Sequence, residues 1–136
     1  MHPFRQAAEA GDHGAIEALL ADDVVFTSPV AFKPYPGREI TAAIIRGVSR
    51  VFTDLRYARE IVSADGRDVA LIFTARVGDK QVNGCDFLHI DADGRIDDLM
   101  VMVRPLSAAN ALAEAMAGEF EQISREAVAA MSPAAE

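Results

Sequence analysis

The chain has 136 residues, 51% of them hydrophobic and 25% charged, which suits one domain with a core of its own. Thirteen basic against 21 acidic residues leave a net charge of −8. That balance argues against a nucleic-acid binder or a polybasic membrane surface, both of which need Lys and Arg facing phosphates.

Two helical segments open the chain, split at Gly11-Asp12. Phe4, Ala7 and Ala8 share one side of the first. Asp12 is placed to N-cap the second, where Ile16, Leu19 and Leu20 recur at helical spacing. Val24 to Thr27 reads as a short strand stopped by Pro29, and a loop rich in turn formers runs on to Gly37. From Arg38 to about Phe52 the apolar positions Ile40, Ala43, Ile44, Val48 and Val51 predict a third helix. Strands are then expected over 55–61, 68–77, 81–90 and 96–103. Their turns are Ala64-Asp65-Gly66-Arg67, Gly78-Asp79-Lys80 and Ala92-Asp93-Gly94-Arg95. Asp-Gly between alternating apolar residues is a hairpin signal, because both central turn positions favour positive φ. Pro105 ends the last strand. Beyond it, Leu112, Met116, Phe120, Ile123 and Ala127 mark a C-terminal helix over 107–131, and residues 132–136 are expected to fray. Helices first and a meander after predict one α+β domain over 1–136, with helices packed on a curved antiparallel sheet.

Strand alternation sorts the side chains. Val82, Gly84, Asp86, Leu88 and Ile90 share one face of the third strand of the meander; Asn83, Cys85, Phe87 and His89 share the other. Met100 and Met102 fall on the side opposite Leu99, Val101 and Val103. Both faces are substantially apolar, so one should meet the helices and the other a second copy of the chain, through Phe87, Met100 and Met102. Asp86 stands among apolar neighbours, where a carboxylate either finds a partner or turns neutral. It is the candidate functional acid, with a satisfied structural Asp as the alternative.

Other chemistry is thinly represented. His2, His13 and His89 lack metal-ligand spacing, so no metal is expected. The single cysteine, Cys85, excludes an intrachain disulfide, and a small buried apolar role fits it better than a nucleophile. No Gly-rich phosphate loop and no nucleophile elbow occurs, and no cofactor is expected. No apolar run reaches the ~18 residues of a membrane span. The opening Met1-His2-Pro3-Phe4-Arg5 lacks the apolar core of a signal peptide, so a cytoplasmic protein is expected.

The order of these elements carries a resemblance. Gly11-Asp12-His13-Gly14-Ala15-Ile16-Glu17-Ala18-Leu19-Leu20 through Val24 is similar to the nuclear transport factor 2-like (NTF2-like) superfamily, in its SnoaL-like and ketosteroid-isomerase-like branch. Ser28-Pro29-Val30, Gly37-Arg38-Glu39-Ile40 and Cys85-Asp86-Phe87-Leu88-His89-Ile90 through Ile96 resemble the same branch. The match covers residues 3 to 104. It implies an NTF2-like cone with a pocket opening toward the first helices, and the C-terminal helix lies outside the common pattern.

The resemblance to ketosteroid isomerases puts their protonated oxyanion-hole Asp on Asp86. It puts their base on Ser28, their oxyanion tyrosine on Phe4, and two supporting tyrosines on Leu20 and Ile45. A serine is no base near neutral pH without an activating partner, so steroid isomerisation is not expected. Limonene-epoxide hydrolases, on a related cone, imply an Asp-Arg-Asp set that Gly84, Leu99 and Val101 cannot supply.

Three functions follow. The first is a cyclase, isomerase or dehydratase acting on a small apolar or aromatic substrate, with Asp86 as acid/base and Ser28 or Tyr35 orienting a polar group. Phe4, Phe26, Phe73, Leu88, Leu99 and Val101 are the expected cavity wall. The second is a non-catalytic ligand-binding or dimeric module. The third is a protein-partner adaptor.

Overall fold

The computed structural model describes residues 1–131. Helices α1 (Pro3–Ala10) and α2 (His13–Leu19) are followed by strands β1 (Leu20–Thr27) and β2 (Tyr35–Pro36). Helix α3 (Arg38–Val51) comes next, then β3 (Thr53–Val62), β4 (Asp68–Val77), β5 (Lys80–Ile90) and β6 (Ile96–Arg104), and last the helix α4 (Leu106–Met131). The six strands form one curved sheet in the order β2-β1-β6-β5-β4-β3.

Local chemistry explains most boundaries. The Asp12 carboxylate caps α2 by accepting the Ala15 N–H at 3.1 Å. The meander β3–β6 is antiparallel throughout, as its Asp-Gly and Gly-Asp turns require. The sheet as a whole is not: β1 pairs with β6 in parallel, so the expected antiparallel sheet is in fact mixed. Leu20 begins β1 instead of ending α2, and the expected loop at 29–37 contains the two-residue β2, paired to Val25 and Phe26. Pairing made far along the chain overrides helical spacing at Leu20. The expected fraying of residues 132–136 lies outside the described residues.

The core sits in the concave side of the sheet. Val69, Leu71, Phe73, Ala75 and Val77 alternate inward along β4, and α3, packed against β1, adds Ala42, Ala43 and Ile44 to the same buried cluster. Helix α4 then packs along α3. Gly47 makes this approach possible, since a Cβ there would lie 2.6 Å from Ile123 Cδ1. Three ion pairs run alongside: Arg46–Glu126 at 2.9 Å, Arg50–Glu119 at 2.6 Å and Arg50–Glu126 at 3.3 Å. The C-terminal helix therefore packs against α3 and against β4, β5 and β6 of the same chain.

Candidate functional site

Inside the cone lies a cavity of about 370 Å³ with a mostly apolar wall. The sheet contributes Phe26, Tyr35, Phe73, Leu99 and Val101, α1 contributes Phe4, and the β1–β2 connection contributes Ser28. Of the residues expected in the wall, Leu88 alone is absent. It is buried on the same face as Asp86 but one step further along β5, where it belongs to the core and to a shallow groove on the sheet. The wall also includes Leu112, Met116 and Phe120 of α4, a contribution the sequence pattern did not distinguish from ordinary packing. The Phe120 ring stands 5.9 Å from Tyr35, and Tyr35 in turn stands 6.4 Å from Phe26, so an aromatic series closes this side.

Asp86 reaches the cavity from the inner face of β5, between Leu71 on β4 and Val101 on β6. It is 7% exposed. Among the described residues its carboxylate has one side-chain partner, Tyr57, whose hydroxyl donates to Asp86 Oδ2 at 2.6 Å. Burial pushes the carboxyl up to about 7, against the opposing pull of the Tyr57 hydrogen bond. Burial, then the adjacent Asp86 carboxyl, push the Tyr57 phenol far above its ordinary value, so it stays a donor. At neutral pH Asp86 is thus poised between its two protonation states, the condition that suits proton transfer.

Tyr57 carries the main functional signal that the sequence concealed. It lies on β3, with β4 between it and Asp86, and its phenol crosses that strand to reach the carboxyl. Two features aim it. Phe73, its register partner, meets the Tyr57 ring edge-on with centroids 5.8 Å apart. The Phe73 ring in turn lies over Gly84, where any Cβ would overlap it. The second feature is the position of Tyr57 on the edge strand, beside a slip in the β3–β4 register between Tyr57 and Arg59, where backbone groups facing away from β4 are open to other partners. Helix α1 takes them up: Glu9 Oε2 accepts the Tyr57 N–H at 2.9 Å, and Arg5 donates to the Tyr57 carbonyl at 2.8 Å. Arg5 also lies 3.6 Å from Glu60, whose carboxylate accepts the His2 N–H.

The remaining polar groups sit elsewhere in the wall. Ser28 Oγ accepts the N–H groups of Val30 and Ala31 at 3.1 and 3.2 Å, shaping the connection that borders the cavity. His13 Nε2 lies 3.3 Å from Ser49 Oγ, and both residues line the cavity. Cys85, expected as a buried residue, is half-buried on the opposite face of the sheet. His89, also on that face, pairs with Asp97 at 2.7 Å, which raises its imidazole above the ordinary value. Among the described residues no group of three or more His, Cys, Asp or Glu is arranged to hold a metal, and no helix is long and apolar enough to cross a membrane.

Comparison with known proteins agrees with this architecture. The SnoaL-like domain family matches residues 2–99. A crystal structure named as a steroid delta-isomerase, from Pseudomonas aeruginosa, is 42% identical with a TM-score of 0.83, covering 88% of this chain and 87% of that one. An uncharacterised bacterial protein with a cystatin-like fold, from Silicibacter pomeroyi, is 34% identical with a TM-score of 0.85, covering 90% and 86%. An NTF2-like protein of unknown function from Cytophaga hutchinsonii shares the fold at 20% identity and a TM-score of 0.60, covering 77% and 87%. Among curated proteins none matches. With a family match over most of its length and an Asp-bearing cone of the expected form, the chain belongs to the SnoaL-like domain family of NTF2-like proteins.

Proposed function

We propose that this protein binds a small apolar or aromatic molecule carrying a carbonyl or phenol oxygen, and that Asp86 moves a proton on it. The observation that carries this reading is a buried carboxyl, Asp86, in the wall of an apolar cavity, hydrogen-bonded by the Tyr57 phenol and pushed up to about 7 by its burial. In its ionised form Asp86 accepts a proton from carbon or oxygen; in its neutral form it returns one. An isomerase or cyclase needs no more than this shuttle when the apolar wall fixes the substrate. A second base is not required, and Ser28 does not supply one, because its oxygen is already taken up by two backbone N–H groups.

The name of the Pseudomonas aeruginosa structure puts steroids among the ligands to test, beside phenols, terpenoids and polyketides. Wild type and Asp86→Asn are compared first by thermal shift and then, with each ketone that binds, by exchange of its α-hydrogens with deuterated water. Saturating ligand at ~100 times its dissociation constant adds ~2.7 kcal/mol, enough for a clear shift. The expected outcome is exchange in wild type that falls ~10²–10⁴-fold in Asp86→Asn. Equal exchange in the two proteins removes Asp86 from the chemistry. Binding without exchange in wild type makes the protein a ligand carrier.

A further inference from the structure

Strand β3 closes one edge of the sheet, so a ladder holds it on the β4 side alone. That ladder is irregular on both sides of Tyr57. The register shifts between Thr53 and Arg56 and again between Tyr57 and Arg59, with Arg56–Thr74 and Tyr57–Phe73 as the partners between the two slips. Asp54, inside the first slip, takes a left-handed φ of 55°. Regular pairing fixes the direction in which a strand side chain leaves the backbone, and irregularities of this kind re-aim it. The direction of Tyr57 is therefore not set by β4 alone, although its phenol meets Asp86 across that strand.

Helix α1 supplies the missing constraint. Glu9 accepts the Tyr57 N–H at 2.9 Å, and Arg5 donates to the Tyr57 carbonyl at 2.8 Å. These two side chains stand one helical turn apart and 3.8 Å from each other, so an acceptor and a donor meet both backbone groups of one residue as a matched pair. Arg5 is anchored in turn by Glu60 at 3.6 Å, and Glu60 accepts the His2 N–H at the start of α1. A two-point grip fixes rotation about the strand axis, which one hydrogen bond does not. Docking of α1 needs no such grip: Phe4 and Ala7 are already buried, and ion pairs near the surface add little stability.

We infer that Arg5 and Glu9 are positioning residues for Asp86: from outside the sheet they hold the Tyr57 backbone at the angle from which its phenol reaches the carboxyl. Neither bonds to Asp86 itself. Leu71 and Val101 flank it on β4 and β6, and among the described residues the other titratable groups of the cavity wall, Glu9, His13 and Tyr35, make no hydrogen bond to it. Its protonation is governed by burial and by Tyr57, whereas the charges of Glu9 and Arg5 act on the Tyr57 phenol. An effect of either residue on Asp86 thus has to pass through Tyr57. The inference rests on Asp86 as the proton carrier for its functional meaning, but its test needs no ligand.

Asp86 is titrated by its carboxyl carbon chemical shift in wild type, Tyr57→Phe, Glu9→Ala, Glu9→Gln and Arg5→Met. Glu9 is exposed and Met keeps the apolar stem of Arg5, so these variants keep the fold, which circular dichroism checks. Tyr57→Phe is expected to raise the midpoint by about one pH unit. Glu9→Ala and Arg5→Met are each expected to raise it by at least about half as much. Glu9→Gln, whose amide oxygen still accepts the Tyr57 N–H, is expected to stay at the wild-type midpoint. In the Tyr57→Phe background, Glu9→Ala is expected to add nothing. A wild-type midpoint in Glu9→Ala or Arg5→Met overturns the inference. So does an equal rise in Glu9→Gln, which makes charge the cause, or a further rise on top of Tyr57→Phe. Equal α-hydrogen exchange in wild type and Asp86→Asn would strike the proposed reaction and leave these midpoints standing, so the two readings fail separately.

Discussion

Asp86 and Asp98 are two carboxyls on neighbouring strands of one sheet, both raised above the ordinary carboxylate range, yet on opposite faces and for different reasons. Asp86 is raised by burial and tempered by a phenol, in a place where every neighbour comes from the same chain. Asp98 is raised by partial burial and by Asp97, with His89 beside it pulling the other way. The inner face completes its electrostatics locally. The outer face sets its charges at exposed strand positions. Alternation along a strand therefore places two electrostatic settings back to back, a buried carboxyl bonded to a phenol on one face and exposed charged side chains on the other.

The largest expected effect tests the inner face through pH. A carboxyl that titrates near 7 when folded and near 3.8 when unfolded binds more protons in the native state across that window. Stability from this group is therefore complete below about pH 4 and lost as pH rises through 7, by at most roughly 4 kcal/mol. Thermal unfolding of wild type and Asp86→Asn across this range is expected to show a wild-type descent relative to the variant. Parallel curves would show that Asp86 titrates normally and that burial does not govern it.

Smaller, but on the same face, is the effect of filling Gly84. Gly84→Ala drives a methyl into the Phe73 ring and is expected to destabilise by about 1–3 kcal/mol. Asn83→Ala, one residue away on the outer face, is expected to change stability by less than ~0.5 kcal/mol in denaturant unfolding. Equal effects would erase the distinction between the faces. Between these two in size is Tyr57→Phe, which removes the bond that favours ionised Asp86, at a cost of about 1–2 kcal/mol. Its signature is directional: the upper end of the Asp86 titration moves above 7, followed by carboxyl carbon chemical shifts. A downward move would mean that Tyr57 does not stabilise the carboxylate.

Much of this was legible in the sequence because it is written in local chemistry. The two Ala-Asp-Gly-Arg turns and the Gly-Asp turn placed the meander within a residue or two at most ends, and period-two alternation put Asp86 on the apolar face before any partner was known. The unread parts are those that depend on distance through space. Tyr57 reaches Asp86 only by crossing β4, and its inward aim depends on a register slip that shifts the alternation of β3. The parallel pairing of β1 with β6 joins segments some 70 residues apart and leaves no trace in local periodicity. Leu88 shows the limit of alternation itself. The correct face is not yet the correct height along the strand, and the cavity ends before it.

Helix α4 extends this separation of parts to the cavity. The stretch matched to the SnoaL-like domain family ends at residue 99, whereas α4 begins at Leu106 and lines the cavity with Leu112, Met116 and Phe120. Asp86 and Tyr57 stand on the sheet, and the three side chains that bound the cavity on this side stand on a separate helix. Exchanging those three side chains changes the room in the cavity without touching the carboxyl or the phenol bonded to it.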